Sequence, residues 1–422
     1  MVPSLARSWI VWACAALFFC YQFLLRVAPS VMTQELMGDF AVDACTLGIL
    51  TSLYSCGYVG FQLPVGSLLD KFGPRRLVSI AALTCSIGSL LFSFADTVIV
   101  GAASRFLIGA GSAFGFLSCM KLGTLWFPPQ RISLVVGLTL LLGTSGGVAG
   151  SYPMSFLVDA FGWREATQIT ALGGIFIALL IALLVRDHPP QSLEIYINKH
   201  HAIGNPSLGL WKGFLVIIQK RQTWLLAFYG FMMYVPLAGF ADMWGVPFLI
   251  NVHHMDKQMA SLSTTLLYMG VGIGTPLFAF LSDRLKRFKI ALLCASIGTL
   301  CAFAIVVYSP FLPPSLAHST LFVAGIMLGG QFMAFSIVCE INPLSVSGMA
   351  AGFQNLVSMT SGIVFQPFIG QLLDLFWENG YEHGIRLYTK AAYQIALTSL
   401  IVALIFATLA AIFIQEAYPE RE

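Results

Sequence analysis

The chain reads as a succession of long apolar runs, near 9–33, 46–69, 77–96, 98–124, 132–157, 165–185, 222–250, 259–281, 290–309, 318–339, 348–373 and 390–414. Crossing the hydrocarbon of a bilayer takes about 20 apolar residues in a helix, and each run reaches that length. A chain carrying twelve of them has nowhere to hide so much apolar surface in water. Composition agrees, because charged residues make up 10% of the 422, against about 25% in soluble chains. That excludes a secreted disulfide scaffold, a disordered chain and a soluble multidomain enzyme. The formal net charge of +3 gives no reason to expect nucleic acid as a partner. The nine cysteines (14, 20, 45, 56, 85, 119, 294, 301 and 339) form no C-x-x-C pair and no metal-ligand spacing. They read as small apolar packing residues, with no cofactor or metal implied. The first run continues to Met32 without a small-residue cleavage site, so it is read as a retained helix.

One polar stretch, Arg186 to Arg221, carries Asp187, Lys199, His200 and His201 and divides the runs into two sets of six. The expected organisation is a six-helix bundle over 1–185, a cytoplasmic central loop over 186–221 and a second bundle over 222–422. A second longer break, Trp377 to Lys390, precedes the last run. With the N-terminus inside, Arg7, Lys71, Arg75, Arg76, Arg131, Arg186, Lys220, Arg221, Arg284, Lys286, Arg287 and Lys289 all fall on that side. The other side receives only Arg164, Lys257, Arg386 and Lys390. The excess of basic residues on inner loops places both termini in the cytoplasm, and a bacterial chain of this kind belongs in the inner membrane. The halves also resemble each other. Asp70 and Asp283 each follow the second run of their half and precede basic residues. A constant offset of 215 pairs Gly137 with Gly352, Gly147 with Gly362 and Asp159 with Asp374. Two repeated six-helix halves are the pattern of a transporter that rocks around a central site.

The segment Gly66-Ser67-Leu68-Leu69-Asp70-Lys71-Phe72-Gly73-Pro74-Arg75-Arg76 resembles the G-x-L-x-D-[RK]-x-G-[RPK]-[RK]-[RK] loop of the major facilitator superfamily. Gly66 suits close helix approach, Gly73-Pro74 a tight turn, and Asp70 a helix cap or salt bridge. The copy in the second half, with Asp283 and Arg284, is degenerate, having Ala279 and Lys286 at the glycine positions. Arg105-Phe106-Leu107-Ile108-Gly109-Ala110-Gly111 is similar to the R-F-x-x-G-x-G of the family's fourth helix. Trp126-Phe127-Pro128, Phe161-Gly162-Trp163-Arg164 and the Glu340-to-Asn355 segment match further family patterns. The resemblance implies an all-α integral membrane fold of twelve helices in two pseudo-symmetric bundles, working by alternating access. It makes Gly66, Asp70, Lys71, Gly73, Arg75, Arg76, Asp283 and Arg284 gating or structural residues. Arg105 becomes mainly a structural or proton-linked group. The antiporter motif G-x-x-x-G-P-x-x-G-G would fall near Gly143–Gly150, but its proline is missing, which counts against a drug exporter. The glycines there suit close helix packing.

Polar groups inside the bilayer are the candidates for solute binding, because burying them there is costly. Arg26 lies deep in the first run and offers a planar fork for a carboxylate or phosphate; the alternative is structural pairing. Its surroundings, Tyr-x-x-Leu-x-Arg followed by Val-Ala-Pro-Ser, resemble the organic-anion, phagosomal amino-acid and lysosomal dipeptide branches of the family. Asp242 suits a substrate amine, a coupling proton or a helix cap, and Lys121 a snorkelling or cavity-facing charge. Tyr21, Gln22, Tyr54, Tyr234 and Gln331 complete the expected binding set. Gln62, Tyr229, Tyr268, Asn355 and Gln366 are further candidate cavity groups, most of them expected to be bystanders. One arginine and one acid favour an amino acid or short peptide, with organic anions or sugar phosphates as the alternative and drug or siderophore export behind them. The expected partners are a small polar organic solute, a coupling proton or counter-substrate, and the lipid bilayer, with the chain a monomer. No nucleotide-binding G-x-x-x-x-G-K-[ST] occurs and no catalytic cluster of His, Asp or Glu is seen, which argues against a pump or an enzyme. A non-transporting membrane receptor is the rival of a different class.

Overall fold

The computed structural model describes residues 5–190, 210–285, 287–343, 346–382 and 384–416. Lys199, His200, His201, Lys286 and the side chain of Asp283 lie outside the described residues. Among those described, twelve helical spans are long and apolar enough to cross a membrane. They are α1 Ala6–Val31, α2 Ala44–Gln62, α3 Pro74–Ser93, α4 Val98–Trp126, α5 Pro129–Phe161 and α6 Trp163–Leu184, followed by α7 Arg221–His253, α8 Lys257–Ser282, α9 Phe288–Tyr308, α10 Pro314–Glu340, α11 Ser347–Leu375 and α12 Lys390–Phe413. The expected all-α fold of twelve spans is thus present. The helix that begins α2 runs on to Phe72, and α5 breaks at Ser151, where Pro153 lacks an N–H for the helix ladder.

The chain forms two compact units. The first holds the described residues of Met1–Ala28 and Leu53–Gly204, the second those of Pro29–Ser52 and Asn205–Glu422. The ends of α1 and the start of α2 therefore group with the later helices, where the sequence reading divides the chain only at the central loop.

In the first unit, glycines let backbones touch. A Cβ added at Gly146 of α5 would lie 2.0 Å from the Cys20 carbonyl of α1, and one at Gly150 2.6 Å from that of Leu24. A Cβ at Gly109 of α4 would sit 1.9 Å from the Tyr54 carbonyl of α2, and one at Gly57 2.2 Å from the Phe106 carbonyl. Gly66, by contrast, meets nothing within 4 Å among the described residues, so the close approach expected there is made at Gly57 instead. The turn after α2 uses Gly73 at φ +80°, a conformation open to glycine at no steric cost. Asp187 accepts from the Arg75 N–H at 2.8 Å and caps α3. The Arg75 guanidinium reaches the Ala182 carbonyl at 2.7 Å, while Asp70 pairs with Lys121 at 2.6 Å.

The second unit repeats the device. Cβ atoms at Gly270 and Gly274 of α8 would meet the Phe322 and Ile326 carbonyls of α10 at 2.3 and 2.1 Å, and one at Gly325 the Leu267 carbonyl at 2.1 Å. Gly57 and Gly270 are 213 positions apart, the same offset as Asp70 and Asp283, so the repeat extends to the packing glycines. At one end of this unit the 377–390 break forms a hairpin. Its strands, β1 Gly380–Glu382 and β2 Ile385–Leu387, pair antiparallel with Tyr381 opposite Arg386. Beside it, the Asp374 carboxylate accepts from the Cys45 N–H at 2.7 Å, Arg386 at 3.0 Å and Tyr388 Oη at 2.5 Å. It thereby caps the first turn of α2. Asp43 accepts from the Thr46 N–H at 2.9 Å.

Two outcomes follow from this packing. Gly274→Val should cost about 3 kcal/mol, because backbone blocks the new side chain. Gly60→Ala, which meets nothing within 4 Å, should leave the thermal midpoint in detergent unchanged. The second concerns Asp43. Burial raises its carboxyl, but the Thr46 hydrogen bonds and the Arg386 charge more than reverse this and hold it below its ordinary value. A carboxyl depressed in the folded state stabilises above its ordinary value and loses that contribution as pH falls through the folded value. The thermal midpoint should therefore drop as pH falls below about 4, and Asp43→Asn should flatten that limb of a pH–stability profile.

Candidate functional site

In the first unit α1 carries Gln22 and Arg26 one turn apart, which places both on one helical face. Both are buried, Arg26 with 4% of its surface exposed. Tyr54 of α2 donates its hydroxyl to Gln22 Oε1 at 2.5 Å. The Arg26 guanidinium lies 4.1 Å from the centroid of the Phe23 ring. Arg105 of α4 lies 5.1 Å from the Tyr54 ring centroid and donates to the Leu25 carbonyl at 2.7 Å and the Arg26 carbonyl at 3.4 Å. Two guanidinium groups and two polar side chains thus converge on one turn of α1. The acids on the first six spans, Asp159 and Glu165, sit in terminal turns of α5 and α6. Away from its helix ends, this unit thus carries two buried guanidinium groups, Arg26 and Arg105.

Tyr21 does not share that face. Its hydroxyl lies where a Cβ on Gly174 would be 2.3 Å away, next to Ser86, and its ring packs among the helices. Lys121 resolves as the partner of Asp70. Among the loop residues, Lys71, Arg76 and Arg284 are exposed.

In the second unit Asp242 is buried within a π-helical stretch, Pro236–Trp244 of α7. Wider turns of this kind are uncommon and concentrate at functional sites. Tyr268 of α8 donates its hydroxyl to the Asp242 carboxylate. Gln366 of α11 donates to the Ala238 carbonyl at 2.9 Å, and Trp244 Nε1 to the Gln366 carbonyl at 3.0 Å. The π stretch is thus braced from α11. Tyr234 is buried about two turns before Asp242 on the same span. Gln331 sits in the 3₁₀ turn Gly330–Phe332, buried, with neither amide atom bonded among the described residues. A buried amide left this way carries a cost that a polar solute would remove. A separate cavity of about 200 Å³ near the hairpin is lined by Gln34, Trp244, Asn251, Arg386 and Tyr388 among others.

Tyr268 and Gln366 were legible only as candidate cavity polar groups, since nothing in α8 or α11 points along the chain to α7. Arg105 and Gly109 had a signal, the family-like α4 pattern, but their partners are set by packing, and Gly57 of α2 had none.

A profile of the Major Facilitator Superfamily matches residues 14–367. The chain is 23% identical over 378 residues to the probable sulfoacetate transporter SauU of Cupriavidus necator, covering 85% of each. It is 22% identical over 398 residues to the membrane sensor protein UhpC of Escherichia coli, covering 88% of this chain and 86% of that one. Among solved structures, a bacterial homologue of the human lysosomal transporter Spinster matches with a TM-score of 0.76 at 19% identity, over 98% and 97% of the two chains. That last likeness concerns the fold. With twelve spans, the repeated halves and a profile match over most of its length, the chain is an integral, multi-pass membrane protein and belongs to the Major Facilitator Superfamily of secondary transporters.

Proposed function

We propose that the chain carries a small organic anion, held through a carboxylate, sulfonate or phosphate group by Arg26. The observation that carries this reading is the meeting of two buried guanidinium groups, Arg26 and Arg105, at one turn of α1, beside Gln22 and Tyr54. Arg26 supplies two parallel donors to a planar or tetrahedral anion, while Tyr54 and Gln22 supply neutral hydrogen bonds beside it. Arg105 adds positive potential without turning its own donors from the backbone. Both termini lie in the cytoplasm, following the basic loops. Gly66, Asp70, Lys71, Gly73, Arg75, Arg76, Asp283 and Arg284 serve the conformational cycle and make no solute contact.

A second reading keeps the amino acid or short peptide. It is favoured by Asp242, which sits buried in the second unit with Tyr268 as donor and would meet the amine of a zwitterion or carry a coupling proton. A sensor that binds without transporting is the third, since one relative bears that name; proteoliposome flux separates it from a carrier.

The purified chain should be screened by thermal shift against sulfoacetate, D-glucarate, glucose 6-phosphate and a neutral dipeptide. A ligand present at about 100 times its dissociation constant stabilises the folded state by about 2.7 kcal/mol. An organic anion should stabilise the wild type, and Arg26→Lys should weaken its binding about tenfold, because an ammonium cannot make the bidentate contact. Full affinity in that variant would falsify the anchor. Asp242→Asn tests the second reading independently. If Asp242 carries the coupling proton, uptake by this variant should no longer respond to an imposed pH gradient. Stabilisation by the dipeptide that disappears in Asp242→Asn would select the zwitterion instead.

A further inference from the structure

The helix of α1 ends at Val27, and a 3₁₀ turn follows over Ala28–Val31. Up to this point the ladder is ordinary, and the Ala28 N–H donates to the Leu24 carbonyl. The next carbonyl, that of Leu25, would take its donor from residue 29. Residue 29 is proline, which has no N–H to give. A carbonyl in the interior of a membrane protein has no water to turn to. The donor comes from another helix: Arg105 Nη1 reaches Leu25 O at 2.7 Å, and Arg105 Nη2 reaches the following carbonyl, that of Arg26, at 3.4 Å. The guanidinium thus takes the place of the one N–H that Pro29 lacks, at Leu25 O, and reaches the next carbonyl as well.

Arg105 is itself held. It lies against the Tyr54 ring, and Tyr54 is bonded to Gln22, one turn before Arg26. One turn beyond Arg105, Gly109 presses its backbone on the Tyr54 carbonyl, so α4 cannot move away from α2 without losing that contact.

We infer that Arg105 is the positioning residue for Arg26: by supplying the hydrogen bond that Pro29 withholds from Leu25, it fixes the broken turn of α1 from which the anion anchor projects. This role is separable from solute contact, since the bonds that perform it go to the main-chain oxygens of Leu25 and Arg26. The inference rests on the reading of Arg26 as the anion anchor.

The test is a set of full-length variants in detergent and in proteoliposomes, with sulfoacetate as the probe. Arg105→Met removes the donors while keeping a long side chain. It should lower the thermal midpoint and weaken the sulfoacetate-induced shift about tenfold in apparent affinity, the scale of one buried bond. Arg105→Lys keeps one donor and should fall between the two. Pro29→Ala restores the N–H at the position where it is missing. In the Arg105→Met background it should return the midpoint toward wild type and the affinity to within about threefold. If Arg105 acts through Arg26, Arg105→Met added to Arg26→Lys should weaken the probe no further than Arg26→Lys alone.

A double variant Arg105→Met/Pro29→Ala no more stable than Arg105→Met overturns the inference, as do affinity losses of Arg26→Lys and Arg105→Met that multiply. Failure of the anion reading looks different. There the wild type responds to none of the three anionic probes, while the midpoints of the Pro29 and Arg105 variants still decide whether the two residues are coupled.

Discussion

Inside a bilayer a backbone N–H or C=O that loses its helical partner must find another within the protein. The regular length of every span depends on this constraint, and it also explains where regularity fails. The ladder is interrupted at Pro29 in α1, in the π stretch of α7 and at the 3₁₀ turn of α10. These three, unlike the break at Ser151 in α5, lie next to a candidate binding residue: Arg26, Asp242 and Gln331. At two of the three a long polar side chain from a neighbouring helix donates to a main-chain carbonyl, Arg105 to Leu25 and Gln366 to Ala238. Broken helix and buried polarity therefore occur together for one reason. A carbonyl released in hydrocarbon needs a donor, and a donor placed there also shapes the polar interior.

Close packing gives those donors their reach. Gly57 and Gly109 in the first unit, and Gly270, Gly274 and Gly325 in the second, let backbones approach until a methyl group would collide with a carbonyl. Without apolar driving force between helices in lipid, such contact area is a main source of association. The same pair of helices in each half uses it, which ties the repeat seen in sequence to a common way of building the two units.

Charge acts mainly at the ends of the helices. Asp187 caps α3 and Asp374 caps α2, each from a segment distant in sequence. Arg75 and Lys121 are drawn to a carbonyl and a carboxylate at the edge of the first unit. The Asp374 cluster gathers Arg386, Tyr388 and the α2 N-terminus around one carboxylate. Burial and that carboxylate keep the Tyr388 phenol protonated, raising it from its ordinary value, so it remains a donor.

Membrane class, number of spans, repeat and family were legible in the sequence alone, because each depends on residues close together along the chain. A run of 20 apolar residues fits the bilayer whatever surrounds it, and the Gly66–Arg76 loop is a local pattern. Arg26 and Asp242 were legible too, since a charge in such a run is conspicuous by itself. Their partners were not. That Asp70 would take Lys121, that Tyr268 would donate to Asp242 and that Tyr21 would pack beside Gly174 depend on which helix faces which. The role of Arg105 shows the division most clearly. Its position and the missing N–H of Pro29 are both written in the chain, 76 residues apart. Only the crossing of α4 over α1 brings the guanidinium to the carbonyl that the proline leaves, because a hydrogen bond is decided by distance in space.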